Sequence, residues 1–168
     1  LALRNKGMPL EALRYDTTPV GLHYLLVHFD IPAIEPQEWR LQLGGNVARP
    51  RSLTLEDLRQ RPRVTMPVTL ECAGNGRGFL TPRSASMPWL YEGVGTAEWT
   101  GTSLRNVLEQ AGVTPDAADI AFFGADRGFD RGVEHDYGRS LKPEAAAADE
   151  VLLAWAMNGA PLAPQHGF

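Results

Sequence analysis

Short apolar runs, separated by loops of irregular length, limit the folds that this chain can adopt. The runs "GLHYLLVHF" at 21–29 and "ADIAFFGAD" at 118–126 indicate buried strands, and "WRLQLGG" at 39–45 alternates as a half-buried strand does. The polar residues 134–137 indicate a solvated loop. Strands outnumber helices and do not alternate with them as in βαβ units. The sequence therefore predicts an α+β fold with mixed β-sheets and short helices.

Two short helices are predicted from their end signals. Thr54 with Asp57 three residues later is a capping-box pattern, which indicates that a helix begins there. The second helix follows Thr102 or Ser103 and has its apolar residues on one face. Gly112 then suits the left-handed backbone that ends many helices.

The length, net charge and cysteine count of the chain limit the kinds of function that it can have. The 168 residues suit one domain, so a single domain is predicted over 1–168. It is expected to be truncated at both ends, because it starts without Met and stops within "PLAPQHGF". A net charge of −4 gives no basic field, so nucleic acid is not an expected partner. One cysteine excludes a disulfide within the chain and a CxxC metal pair.

That cysteine, Cys72, lies in the loop "TLECAGNGRGF" at 69–79, directly after a predicted strand. A lone cysteine is commonly a small buried apolar residue. Here the glycines that follow it allow tight turns and close approach to a ligand, and Arg77 could lower a thiol pKa or bind an oxyanion. A thiolate in such a loop would act as a nucleophile or as a soft metal ligand.

Histidines and one aspartate are the remaining candidates. His23 and His28 are an odd number of positions apart, so they would face opposite sides of a strand. None of the four histidines, which also include His135 and His166, occurs in an HExxH or HxH motif. This disfavours a zinc hydrolase. Asp126 follows a predicted buried strand, as a turn residue or as a carboxylate that accepts hydrogen bonds from a ligand.

Several motifs, in this order, resemble the molybdopterin-binding domain of the sulfite oxidase family. They are "HYLLVHFDIP", "WRLQLGGNV", "LTLEDL", "VTLECAGNGRG", "GVGTAEWTGTSL", "FFGAD", "YGRSL" and "LLAWAMNGAPLAPQHGF". The resemblance extends from about residue 17 to the end of the chain and implies part of a sulfite oxidase-type molybdopterin-binding fold. It also implies a molybdenum–molybdopterin cofactor.

The resemblance assigns roles to five residues of this chain. Cys72 matches the family's one covalent protein ligand to molybdenum, and Arg77 matches an arginine of the oxyanion pocket, which makes these two the expected catalytic residues. His28, Asp126 and His166 match residues that bind the cofactor.

The chain departs from the family in the strand before His28. Sulfite oxidases typically have arginine–asparagine–histidine there, and this chain has Leu26–Val27–His28. One positive charge is therefore missing from the expected anion pocket, which should weaken sulfite binding. The family also continues, beyond the position of Phe168, with an arginine and a lysine that hold the cofactor phosphate.

The expected function is oxygen-atom transfer on a small substrate such as sulfite or an S- or N-oxide. No haem motif is present, so electrons would pass to a separate partner such as a cytochrome. The resemblance further implies a homodimer formed through a region outside this chain, and a location in a bacterial cell envelope or periplasm rather than the cytoplasm.

Two other functions stay open at this point. Cys72 could be the nucleophile of a hydrolase or transferase, with a histidine as its base. The chain could also be a binding module that keeps the fold without the cofactor.

Overall fold

The computed structural model describes residues 5–167. Its strands are β1 (Asn5–Lys6), β2 (Leu25–Leu26), β3 (Leu41–Leu43), β4 (Arg51–Leu53), β5 (Arg63–Glu71), β6 (Val94–Ser103), β7 (Ile120–Asp130), β8 (Val133–Leu141), β9 (Leu152–Met157) and β10 (Ala160–Pro161). Its α-helices are α1 (Leu55–Arg59), α2 (Leu104–Ala111) and α3 (Pro143–Ala146). Short 3₁₀ turns occupy Leu10–Arg14, Val20–Leu22, Arg77–Phe79 and Pro164–His166.

Four antiparallel sheets organise these elements. The largest has the strand order β10-β9-β6-β5, so β6 is internal and β5 is an edge strand. The pairs β1-β2, β3-β4 and β7-β8 form separate two-stranded sheets. This architecture, with few and short helices, confirms the α+β prediction. Among the described residues, no helix is long and apolar enough to cross a membrane.

The main core forms where α1, α2, β4 and β9 meet. It contains the buried residues Leu53, Leu55, Leu58, Val107 and Trp155, with the half-buried side chains of Trp39, Leu41 and Leu43 packed against it. The β3 side chains therefore alternate as predicted. Burial of these apolar groups is the main favourable contribution to folding.

Both predicted helix boundaries are confirmed. The Thr54 hydroxyl accepts a hydrogen bond from the Asp57 amide at 3.0 Å, and the Asp57 carboxylate accepts one from the Thr54 amide at 2.8 Å. Ser103 occupies the N-cap position of α2, although its side chain makes no capping hydrogen bond. Gly112 ends α2 with φ of 71°, a conformation that favours glycine.

The apolar run 21–29 was predicted to be one buried strand, and this is wrong. A 3₁₀ turn at Val20–Leu22 is followed by a strand of only two residues, Leu25–Leu26. The His23 amide donates to the carbonyl oxygens of Pro19 and Val20, which turns the chain before a ladder begins. His23 is consequently buried, and His28 is exposed.

The prediction that a buried strand ends before Asp126 is also wrong. Strand β7 continues to Asp130 and is largely exposed, and Asp126 lies where its pairing with β8 is irregular, between Phe123 and Arg127. The predicted polar loop 134–137 is part of strand β8. A β-bulge interrupts the pairing of a strand without ending the strand. The glycine and polar residues near Asp126 therefore indicate irregular strand pairing and not a loop.

We predict that Gly101→Ala destabilises the fold. Gly101 lies at the register shift of β6 against β9, and an added Cβ would come within 2.7 Å of the Leu153 carbonyl carbon and the Ala154 Cα, which are backbone atoms. We expect the free energy of unfolding to fall by about 1–3 kcal/mol in urea titrations. Gly44→Ala is the matched control, because a Cβ there meets nothing within 4 Å. Equal effects of the two variants would contradict this prediction.

Candidate functional site

Cys72 is fixed at the end of the β5–β6 ladder. Strand β5 ends at Glu71, and the Cys72 amide still donates to the Gly93 carbonyl oxygen at 2.8 Å. Gly93 directly precedes β6. The backbone of the cysteine is therefore held by the sheet, while its side chain belongs to the loop that follows.

Asn75 joins this loop to both strands. Its amide N–H donates to the Cys72 carbonyl oxygen at 2.8 Å. Its side-chain Oδ1 accepts from the Gly93 amide at 3.0 Å, and its Nδ2 donates to the Glu71 carboxylate at 3.0 Å. These three hydrogen bonds close the loop around Cys72.

The Cys72 thiol is half-buried and unpaired with any other sulfur. The Gly74 amide donates to its Sγ at 3.4 Å, which orients the sulfur within the loop. Gly76 has φ of 81°, so a residue with a side chain would be strained at this point of the turn.

Arg77 lies against the same loop. Its Nη1 donates to the Ser86 hydroxyl at 3.1 Å and to the Met87 carbonyl oxygen at 2.9 Å. A Cβ on Gly74 would collide with the Arg77 guanidinium. Gly74 therefore contacts the sulfur of Cys72 and leaves space for the Arg77 head group, so the structure brings together the two predicted catalytic residues.

The segment that holds Arg77 is itself held by Glu92. The Glu92 carboxylate accepts hydrogen bonds from the amides of Leu90 at 3.0 Å and Tyr91 at 2.8 Å. Burial acts to raise the pKa of Glu92, but hydrogen bonds from backbone amides outweigh it and hold the pKa below its ordinary value. The ionised carboxylate is thus the form that orders this segment.

An aromatic cluster connects the cysteine loop to His166. Its contacts join the rings of His23 and Tyr24 (5.0 Å between centroids), Tyr24 and Trp89 (6.3 Å), His23 and His166 (5.6 Å), and Trp99 and His166 (6.4 Å). Burial lowers the pKa of His166, and His23 and Lys6 lower it further, so the neutral imidazole is favoured. The sequence analysis assigned no role to Tyr24, because it lies within an apolar run.

His28 and Asp126 line a separate cavity of about 660 Å³. Gln165 and Gly167, the neighbours of His166 in the chain, line it as well. The remaining lining is mostly apolar, with the carboxylates of Asp30 and Glu35 and no lysine or arginine. The cavity thus brings together two of the predicted cofactor-binding residues and the segment of the third, whereas Cys72 and Arg77 are not among its lining residues.

The donor set suits a metal that receives most of its ligands from a cofactor. Among residues 5–167 no group of three or more His, Cys, Asp or Glu side chains could hold a metal ion. The sulfur of Cys72 is a soft ligand of the kind that suits such a metal. Buried nitrogens of His23, Trp89 and Trp99 have no hydrogen-bond partner in the described chain, and a polar cofactor would satisfy such groups.

The structure does not favour a cysteine–histidine nucleophile. The hydrogen bond to the Cys72 sulfur comes from the Gly74 amide, and within the described residues no histidine hydrogen-bonds to it. His23 lies in the aromatic cluster, and its Nδ1 contacts the Tyr24 carbonyl oxygen. A general base has to reach the proton that it removes.

We predict that Glu92→Gln reduces the pH dependence of stability at acidic pH. Since the folded-state pKa of Glu92 lies below its ordinary value of 4.5, its contribution to stability is present above that value and is lost as the pH falls below it. Urea unfolding between about pH 6 and about pH 3 should show a smaller loss of stability in the variant than in the parent. Parallel pH curves would contradict the assignment.

Comparisons with known proteins agree with this geometry. The family described as "Oxidoreductase molybdopterin binding domain" matches residues 28–168. A nitrate reductase [NADH] of Brassica napus is 37% identical over 174 residues, covering 98% of this chain and 19% of that protein. The sulfite oxidase of Gallus gallus is 38% identical over 160 residues, covering 90% of this chain and 34% of that protein.

A solved structure extends the comparison to the fold. The crystal structure of the sulfane dehydrogenase SoxCD from Paracoccus pantotrophus superposes with a TM-score of 0.75 at 31% identity, covering 90% of this chain and 37% of that chain. The chain thus spans only a part of each of these relatives. The family match covers most of the sequence, including Cys72, and the chain belongs to the oxidoreductase molybdopterin-binding domain family.

Proposed function

We propose that this chain is the cofactor-binding part of a molybdenum-dependent oxidoreductase in which Cys72 is the protein's ligand to the metal. The observation that carries the proposal is a single half-buried thiol, fixed by the β5–β6 ladder and adjacent to Arg77, in a domain of a molybdopterin-binding family. When bound, the molybdenum cofactor supplies two-electron oxygen-atom-transfer chemistry. The protein's own residues supply position and electrostatics.

Arg77 is the proposed holder of substrate oxygen. Its Nη1 is occupied by Ser86 and Met87, which fixes the plane of the guanidinium. Its other N–H groups are then oriented without further loss of side-chain freedom, and charge-assisted hydrogen bonds of this kind are strong. Binding energy is thereby directed to an oxygen atom next to the cysteine loop.

His28, Asp126 and His166 are the proposed cofactor-binding residues. Asp126 is half-buried in the cavity and offers acceptor oxygens to N–H groups, and His28 lies exposed at the same cavity. The neutral ring of His166 has one donor and one acceptor nitrogen. The proposal is supported by their arrangement, since the 162–167 segment contributes to the cavity and to the aromatic cluster that leads to the cysteine loop.

The substrate is proposed to be a sulfur compound of low charge, such as a sulfane sulfur or an S-oxide, in preference to free sulfite or nitrate. Leu26 stands where the resemblance expects a cationic substrate contact, so this chain has one positive charge fewer there with which to bind a multiply charged anion. Two of the relatives are named for sulfur substrates, a sulfite oxidase and a sulfane dehydrogenase. Electrons would leave to a separate one-electron carrier such as a cytochrome.

Molybdenum content and turnover test the proposal. The full-length protein that contains this chain, made in a host that synthesises the cofactor, should carry about one molybdenum per chain by mass spectrometry. Cys72→Ser should lower turnover at least about hundredfold, because oxygen is a harder ligand than sulfur. Its urea unfolding curve is the control for folding. Molybdenum-free wild-type protein, or full activity in Cys72→Ser, would overturn the proposal.

Asn75→Asp and Glu71→Gln test whether the loop has to be closed for the cysteine to function. Asn75→Asp places two carboxylates at hydrogen-bond distance, which should open the loop and lower turnover or molybdenum content about tenfold. The double variant with Glu71→Gln restores a donor–acceptor pair with its direction reversed, and it has the same net charge as the parent. We expect it to recover most of the loss. No recovery would show that Asn75 does not act through Glu71.

A further inference from the structure

The hydroxyl of Tyr24 is the chemically active group in the aromatic cluster that no expectation from the sequence used. Burial raises the pKa of Tyr24, and the negative charges of Cys72 and Glu71 raise it further. The phenol therefore stays un-ionised at physiological pH and keeps its proton as a hydrogen-bond donor.

Buried neighbours hold the Tyr24 ring from two sides. His23, only 2% exposed, stacks on one face and is itself packed against Gly95 of β6, where an added Cβ would lie 2.6 Å from its Nε2. Trp89, 3% exposed, meets the ring edge-on. Rotation of the phenol would have to displace one of these packed rings, so its position is set before any substrate binds.

Trp89 also connects Tyr24 to the cysteine loop. The Trp89 carbonyl oxygen accepts the Gly78 amide at 2.8 Å, and a Cβ on Gly93 would lie 3.2 Å from the Trp89 ring. Gly93 in turn accepts the Cys72 amide. Tyr24 is thus connected to the backbone of Cys72 through Trp89 and Gly93.

Within residues 5–167 the Tyr24 hydroxyl donates no hydrogen bond to another residue, although the side chain is only partly exposed. A partly buried donor without a protein partner is available to a ligand at little reorganisation cost. Its place in the chain is two residues before Leu26, where the family resemblance expected a cationic substrate contact.

We propose that Tyr24 is a catalytic residue that donates a hydrogen bond to an oxygen or sulfur atom of the substrate at the Cys72 site. As a neutral donor in place of a cation, it favours substrates of low charge over multiply charged anions. This inference rests on the proposed function of Cys72 and adds a residue that determines substrate specificity. It requires no change in the protonation of Tyr24.

Tyr24→Phe removes the donor and keeps the ring. In the full-length holoenzyme with this substitution, we expect molybdenum per chain to be unchanged and kcat/KM for the uncharged substrate dimethyl sulfoxide to fall about 10- to 100-fold. An independent readout is the electron paramagnetic resonance spectrum of the one-electron-reduced centre. Titration of its substrate-induced change should show weaker binding in the variant. Tyr15→Phe, at an exposed tyrosine that contacts Arg14, is the matched control.

Leu26→Arg tests the specificity part. Addition of a cation should raise kcat/KM for sulfite relative to the low-charge substrate by at least about tenfold. An unchanged ratio would overturn the specificity claim. Unchanged kcat/KM and unchanged spectral titration in molybdenum-loaded Tyr24→Phe would overturn the role of Tyr24, as would loss of molybdenum from that variant. Failure of the wild-type protein to hold molybdenum would instead overturn the proposed function of Cys72.

Discussion

The antiparallel ladder between β5 and β6 determines where the candidate chemistry lies. Its last backbone hydrogen bond joins Cys72 to Gly93, and Asn75 closes the loop by bonding to residues at the ends of both strands. Because β6 is internal to the largest sheet, the cysteine is attached to the most constrained part of the molecule. A metal ligand benefits from such support, since ligand orientation depends on the groups that hold it.

Charge is distributed unevenly around this anchor. Arg77 places a cation beside Gly74, while the separate cavity of His28 and Asp126 presents carboxylates and apolar side chains. A ligand that extends from the cysteine loop into the cavity would therefore meet a positive region at one end and a negative one at the other. This polarity suits a large cofactor with N–H donors at one end and a small electron-rich substrate at the other.

The sequence allowed accurate prediction where a structural signal is local. Capping at Thr54 and the left-handed Gly112 depend on a few adjacent residues, and both are confirmed. The proximity of Arg77 to Cys72 was predictable because the two residues are close in the sequence. The predictions failed where distant contacts decide: an apolar run does not show that Pro19 and Val20 turn the chain at His23, nor that β7 continues through an irregularity at Asp126.

The same limit explains why Tyr24 was overlooked. Tyr24 lies in the motif "HYLLVHFDIP", but the resemblance gave it no role, and its relation to Cys72 arises across 48 positions of sequence through Trp89 and Gly93. The assignment of roles to His28, Asp126 and His166 came from resemblance alone. The structure adds that the first two share a cavity with the neighbours of the third.

The β7–β8 hairpin has a consequence for the solution behaviour of this chain. Each of its strands pairs only with the other in the described part of the chain, and Phe123, Phe129 and Val133 are each more than 60% exposed. Long strands with free edges and exposed aromatic side chains are templates for intermolecular pairing. Expressed by itself, the segment would therefore tend to self-associate through this hairpin, and the cavity residue Asp126 would be drawn into that contact with it.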